Sequence, residues 1–266
     1  MPRLPFDSDL HVHTNISPCG VRTSTPDKYF PTCVETGIKT IGFSNHFWDS
    51  DIPGAPDWYQ PLGVDCLMQI RDQITDTLGV QTLVGAECEF FGKLALTYEH
   101  SKMFDYMLIT TSHFHEEVTI CDIPLNDYTD AIRLLCQRFL LGVAAGAKLP
   151  IPVSMAHIFH PLGDLGKYQD EIIAGISDRE FLEMFGFAAE SRVAIEVHLP
   201  TVKHYKPEWG DYSEQAARMY RLAKKAGCKF TLGSDEHNWE SYVHKSRHIR
   251  LIASEIGITG DDMMEI

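Results

Sequence analysis

The sequence predicts an α/β fold in which parallel strands alternate with helices around a sheet or a barrel, and three observations carry that prediction. Seven short runs rich in Val, Ile, Leu and Thr recur along the chain, longer segments of helical period separate them, and a His, Glu or Asp follows each run. Short apolar runs suit strands buried on both faces, and the intervening helical segments supply the crossovers that parallel strands need.

Taken in order, the strands are expected at residues 7–12, 39–44, 81–86, 106–111, 151–156, 193–197 and 229–233. Thr25-Pro26-Asp27 opens a helix with a cap and a proline in its first turn, and Thr36-Gly37 closes it. Asp127 begins a long helix whose apolar stripe runs through Ile132, Leu135, Cys136, Phe139 and Leu140. Ser177-Asp178-Arg179-Glu180 reads as a capping box ahead of Phe181, Leu182 and Phe185. Another helix starts at Asp211-Tyr212-Ser213 and ends at Ala226-Gly227, and a last one covers residues 242–256. The stretch 48–63, with Pro53, Gly54, Pro56 and Pro61, is too rich in proline for an element and is a long loop, a candidate lid.

With 266 residues, no internal repeat and no linker, a single barrel-sized domain over residues 1–266 is expected, and 44% hydrophobic residues supply its core. The net charge of -14 argues against a broad nucleic-acid or anionic-membrane surface, because both need excess Lys and Arg. Bound divalent cations would reverse that sign locally, so an anionic substrate stays compatible with it. No apolar run is long enough to cross a bilayer, and the first residues carry no signal-peptide core, so a cytoplasmic protein is expected. Seven cysteines without a CxxC read as reduced, packed thiols, with Cys19 set apart.

The chemistry gathers at the strand ends. His11 and His13 are spaced i, i+2 on an extended strand and so face the same side. The later strands lead into His46, Glu87 and Glu89, His113 and His115, His157 and His160, Glu196 and His198, and Asp235 and His237. Of 13 histidines only His100, His204, His244 and His248 fall clearly elsewhere. The carboxyl ends of barrel strands meet on one face, where these groups would converge. No Gly-x-Ser-x-Gly elbow, phosphate-binding Gly-x-x-x-x-Gly-Lys loop or dinucleotide fingerprint is present.

Six motifs then stand in order: Asp9-Leu10-His11-Val12-His13-Thr14, Ser44-Asn45-His46, Gly85-Ala86-Glu87, Thr111-Ser112-His113, Ala156-His157 and Leu232-Gly233-Ser234-Asp235-Glu236-His237. Over essentially the whole chain this series resembles the polymerase and histidinol phosphatase (PHP) phosphoesterases, nearest to the histidinol-phosphatase-like branch. The resemblance implies a distorted (β/α)7 barrel of TIM-like type. It also implies two to three divalent ions of Zn, Mn or Fe type, and hydrolysis of a small phosphate monoester by a metal-activated hydroxide. Carried over by position, His11, His13, Glu87 and Asp235 would bind one ion. Glu87 would bridge to a second held by His113 and His157, and His46 and His237 would hold a third. Asp235, Glu87 and His237 are the catalytic candidates.

The resemblance is imperfect at three places. Where the family adds a histidine to the third ion, this chain has Cys19, a thiolate ligand candidate that would favour softer metals. His115 and His160 double the expected ligands His113 and His157, and read as supporting or substrate-contacting groups. His198 stands where the histidinol-phosphatase-like members tend to carry Asn. The basic stretch with Lys203, His204 and Lys206, together with Arg22, offers further substrate-binding candidates. The alternatives are a metal-dependent amidohydrolase, a phosphodiesterase or nuclease, and a catalytically silent metal-binding regulatory barrel. Amidohydrolases commonly use a bridging lysine after the fourth strand, and residues 107–113 contain none.

Overall fold

The structure is a computed structural model that describes residues 6–113, 128–161, 166, 168–198 and 213–266. Among these, eight strands form one parallel sheet: β1 (Ser8–Val12), β2 (Thr40–Phe43), β3 (His46–Phe47), β4 (Gln81–Glu89), β5 (Tyr106–Thr110), β6 (Val153–Ala156), β7 (Ala194–His198) and β8 (Phe230–Gly233). Seven of them follow the order β1-β2-β4-β5-β6-β7-β8, and the two-residue β3 pairs with the far end of β4. A parallel bridge between Val12 and Glu236, with His13 N donating to Glu236 O at 2.9 Å, brings the two edges together. Asp9 Oδ1 accepts from Ser234 N at 3.1 Å across the same seam. The result is a nearly closed α/β barrel of TIM-like type.

The strands lie where the apolar runs place them, with one instructive difference. β4 runs three residues further than expected, through Glu89, so Glu87 and Glu89 belong to the strand and not to a following loop. Alternation along β4 sends Val84, Ala86 and Cys88 into the main core, while Leu83 packs with Leu10, Tyr106, Leu108 and Ala156 in a separate cluster inside the barrel. Period two then puts Gly85, Glu87 and Glu89 on that same inner face. Tyr106 fills the interior low in the barrel, donating its hydroxyl to Leu10 O at 2.5 Å. A Cβ on Gly42 of β2 would lie 2.2 Å from its hydroxyl oxygen and one on Gly85 of β4 2.4 Å from its ring, which explains the glycine on each of these strands.

The helices are α1 (Pro26–Thr36), α2 (Val64–Gln73), α3 (Tyr98–Ser101), α4 (Tyr128–Gly146), α5 (Gln169–Ala174), α6 (Asp178–Glu190), α7 (Glu214–Lys225) and α8 (Tyr242–Ile256). Gly37 at φ 76° and Gly257 at φ 98° end α1 and α8 in the left-handed conformation that glycine tolerates best. The Ser177–Glu180 capping box is formed, and Ser213 accepts from Ala216 N at the start of α7. Thr25, expected to cap α1, does not: its hydroxyl turns to the Asp27 carboxylate. Asp127, Asp211 and Tyr212 lie outside the described residues. α2, α3 and α5 carry no sequence signal of the strength seen at the others, being short or burying few residues. Among the described residues no helix is long and apolar enough to cross a membrane.

The proline-rich stretch 48–63 forms no helix or strand but is anchored by its aromatics. Trp48 and Tyr59 are buried, Trp48 Nε1 donates to Ile52 O at 2.8 Å, and Tyr59 donates its hydroxyl to Glu89 Oε1 at 2.5 Å.

Candidate metal centre

Parallel strands deliver their carboxyl ends to one mouth, and period-two alternation decides which side chains enter it. Glu87 and Glu89 arrive on β4, Glu196 and His198 on β7, and His11 and His13 at the end of β1. His157 and Asp235 follow β6 and β8 at positive φ, 28° and 49°. These are conformations that non-glycine residues seldom adopt and that cluster at functional sites.

The deepest part of the cluster is built around four side chains. His11 Nε2 and His13 Nε2 face one another at 3.1 Å. Asp235 Oδ1 lies 3.0 Å from His13 Nε2 and 3.4 Å from His11 Nε2, and Glu87 Oε2 lies 3.4 and 3.6 Å from the same two atoms. Glu87 also faces a second group, with Oε1 at 2.7 Å from His157 Nε2 and 3.5 Å from His113 Nε2. The far nitrogens are already taken. His11 Nδ1 meets Glu196 Oε1 at 2.7 Å, His13 Nδ1 meets Ser17 Oγ at 3.1 Å, and His113 Nδ1 is bonded to Glu89 Oε1. The two carboxylate contacts make Nδ1 the donor in His11 and His113 and turn Nε2 inward, while the Ser17 hydroxyl orients the His13 ring.

At the rim, His237 stacks on His13 with ring centroids 4.0 Å apart and places Nδ1 2.9 Å from the Asp235 carbonyl oxygen. His46 Nδ1 approaches Glu87 Oε2 to 2.7 Å, yet neither atom has a partner in hydrogen-bond geometry. Cys19 Sγ and one ring nitrogen from each of His13, His46 and His237 lie within 4.8 Å of one another. Within this cluster, His11 with Glu87 and His157, and His11 with His13 and Asp235, meet the same test, as do Asp49, Asp51 and His100 away from it.

These residues fit divalent cations on an observation internal to the site. Glu87 is 1% exposed and its Oε2 accepts no hydrogen bond, although five imidazoles surround the carboxylate. A buried acceptor left unpaired is costly, and a cation between the facing nitrogens and this oxygen would remove the cost. Imidazole nitrogens and carboxylates are also the donors that zinc, manganese and iron accept.

The electrostatics agree. Burial opposes ionisation of Glu87 and Asp235, but neighbouring imidazoles overcome it and hold both carboxyls well below their usual range. Burial likewise opposes protonation of His11, and the carboxylates of Glu196, Asp235 and Glu87 overcome it and raise its pKa well above the ordinary value. His13 is driven the other way by burial and by the charge of His237. Burial would raise the Cys19 thiol, but hydrogen bonds with His237 and His46 bring it down to about 7.

The remaining sequence candidates divide into three groups. His198 and His160 border a cavity of about 410 Å³ that opens over the cluster, together with Trp58, Cys19 and Pro18. His198 Nε2 is 3.3 Å from Asp235 Oδ2, and His160 Nδ1 meets Gln169 Oε1 at 2.6 Å. Arg22 is exposed and is not among the described residues that line the cavity. His115, Lys203, His204 and Lys206 lie outside the described residues. Glu196 and Glu89 carry a sequence signal in their two-residue spacing from His198 and Glu87. Glu196 also accepts from His157 N at 2.8 Å, so one carboxylate orders two members of the cluster. Trp58 had no local signal, because only the path of its loop sets its ring 5.1 Å from that of His46.

No family model matches the chain, and no curated protein matches it. Among solved structures, it is similar to the candidate histidinol phosphatase hisK of Listeria monocytogenes, with a TM-score of 0.61 and 14% sequence identity over 88% of this chain and 96% of that one. At that identity the likeness extends to the fold.

Proposed function

We propose that the chain is a metal-dependent phosphoesterase acting on a small phosphate monoester, of the histidinol-phosphatase-like kind. The observation that carries this reading is Glu87, whose two oxygens face two different imidazole groups, one with His11 and His13 and one with His113 and His157. A carboxylate so placed could serve two cations at once, and paired cations would suit in-line displacement at phosphorus. The barrel likeness to a candidate histidinol phosphatase supports the same reading by analogy.

His11, His13, Glu87 and Asp235 would hold one ion, Glu87, His113 and His157 a second, and His46 and His237 a third. Bound there, divalent ions would acidify a water and neutralise the phosphoryl oxygens. The protein groups do the rest. Glu196 and Glu89 fix the tautomers of His11 and His113, and Trp58 screens the rim beside His46. His198 and His160 border the cavity over the set, and burial holds both imidazoles below their ordinary pKa, so they would serve there as neutral hydrogen-bonding groups toward the substrate. The P–O ester bond breaks, water supplies the new P–O bond, and the alcohol leaves protonated.

The test is direct. Purified protein with quantified metal content should hold two to three divalent ions and release phosphate from an aryl phosphate, and a panel of phosphate esters including histidinol phosphate should rank its substrates. Less than about one ion per chain, or turnover unchanged in Asp235→Ala, overturns the reading.

A further inference from the structure

The donors at the rim differ in kind from those below them. The deep sets consist of imidazoles and carboxylates, whereas the rim brings a sulfur within 4.8 Å of ring nitrogens of His46 and His237. His13 belongs to the same group, but its Nε2 already faces His11 and Asp235, so the donors left to the rim are Cys19, His46 and His237.

Two independent features indicate that this grouping is built. The turn carrying Cys19 is held in place: Gly20 N donates to Ser17 O at 2.9 Å, and Val21 N donates to the carbonyl of His237 at 3.0 Å. A Cβ on Gly20 would lie 2.2 Å from the Thr14 carbonyl oxygen, so the turn closes only without a side chain next to Cys19. The second feature is the unpaired Glu87 Oε2, buried and directed at His46 from 2.7 Å. An acceptor without a donor, pointing at a member of the set, marks a place for positive charge.

We propose that Cys19, His46 and His237 form a thiolate cation site that takes zinc-like ions in preference to manganese or magnesium, beside two positions of ordinary nitrogen and oxygen character. The inference rests on the metal-centred reading above and makes its positions chemically unequal. Thiolate sulfur is a soft donor that zinc, cobalt and cadmium accept, whereas manganese and magnesium favour oxygen. On loading, the Cys19 S–H proton leaves to the buffer and the freed sulfur lone pair bonds the cation, with no change of oxidation state.

Cobalt(II) added to metal-stripped full-length protein tests this by spectroscopy. The expected result is a near-ultraviolet sulfur-to-cobalt charge-transfer band, displaced by zinc and not by equal manganese. Cys19→Ser should abolish the band and lower zinc content by about one ion per chain, and Cys19→His should restore the ion count without the band. Peptide-mapped alkylation of the wild-type protein adds a measurement independent of variant folding: zinc should shield Cys19, and manganese should not. A band that survives in Cys19→Ser, cobalt-loaded wild type without a band, or equal alkylation with and without zinc overturns the proposal. Phosphate release measured in parallel separates the two readings. A band without turnover keeps the thiolate site and removes the phosphoesterase, and turnover without a band does the reverse.

Discussion

The deep and outer halves of the cluster are held by different means. His11 and His13 are fully buried and Glu87 nearly so, and the deep half rests on strands β1 and β4 and on residues directly after β6 and β8. The outer half is looser: Cys19 is exposed, the His237 side chain is 30% exposed, and loops carry Cys19 and Trp58. Behind the deep half stand two more buried carboxylates, Glu196 and Glu89, each bonded to a histidine of the set. The rim has its turn of backbone hydrogen bonds and the His237 contact to the Asp235 carbonyl. A site assembled this way has a rigid floor and an adaptable mouth, because strand registers are shared by many bonds while a turn depends on few.

The comparison is open to breaking by substitution, starting with the largest expected effect. His11→Ala or Asp235→Ala removes a donor from the floor and should cost at least about a hundredfold in kcat for phosphate release, with loss of bound metal. Retained metal and turnover in either variant would show that the floor is not the centre. Glu196→Gln keeps size and removes the charge that orients His11, so metal retention against a chelator should fall about ten- to a hundredfold while the barrel stays folded by circular dichroism. An unchanged chelator titration would reduce Glu196 to a packing group. At the mouth, Trp58→Ala should raise KM by less than about tenfold with little change in kcat, and the opposite pattern would place Trp58 in the chemistry. The smallest effect at the site is expected far from it. Ser177→Ala breaks the α6 capping box and should lower unfolding stability by about 1 kcal/mol in a denaturant titration, with kinetics unchanged.

The same division explains how much could be read beforehand. On β4 the run of apolar residues ended the expected strand before Glu87, yet β4 continues through Glu89 because β3 and β5 pair with its last residues. At the histidine doublet after β6, spacing left His157 and His160 open. The structure sets His157 beside Glu87 and sends His160 to Gln169, since the turn at His157 enters the left-handed region and redirects the chain. Arg22 is near the first motif in sequence, yet it is not among the described residues that line the cavity.

What the sequence determined by itself is whatever depends on neighbours along the chain. The i, i+2 spacing of His11 and His13, the capping box at Ser177, the closing glycine of α1 and the seven apolar runs are all local signals, and local backbone geometry fixes their meaning. Which groups face each other across the mouth was decided by tertiary structure alone. Glu196 meets His11 across 185 positions of chain, and Cys19 meets His237 only because β1 and β8 close the barrel. Such pairings follow from strand order and register, which no short stretch of the sequence contains.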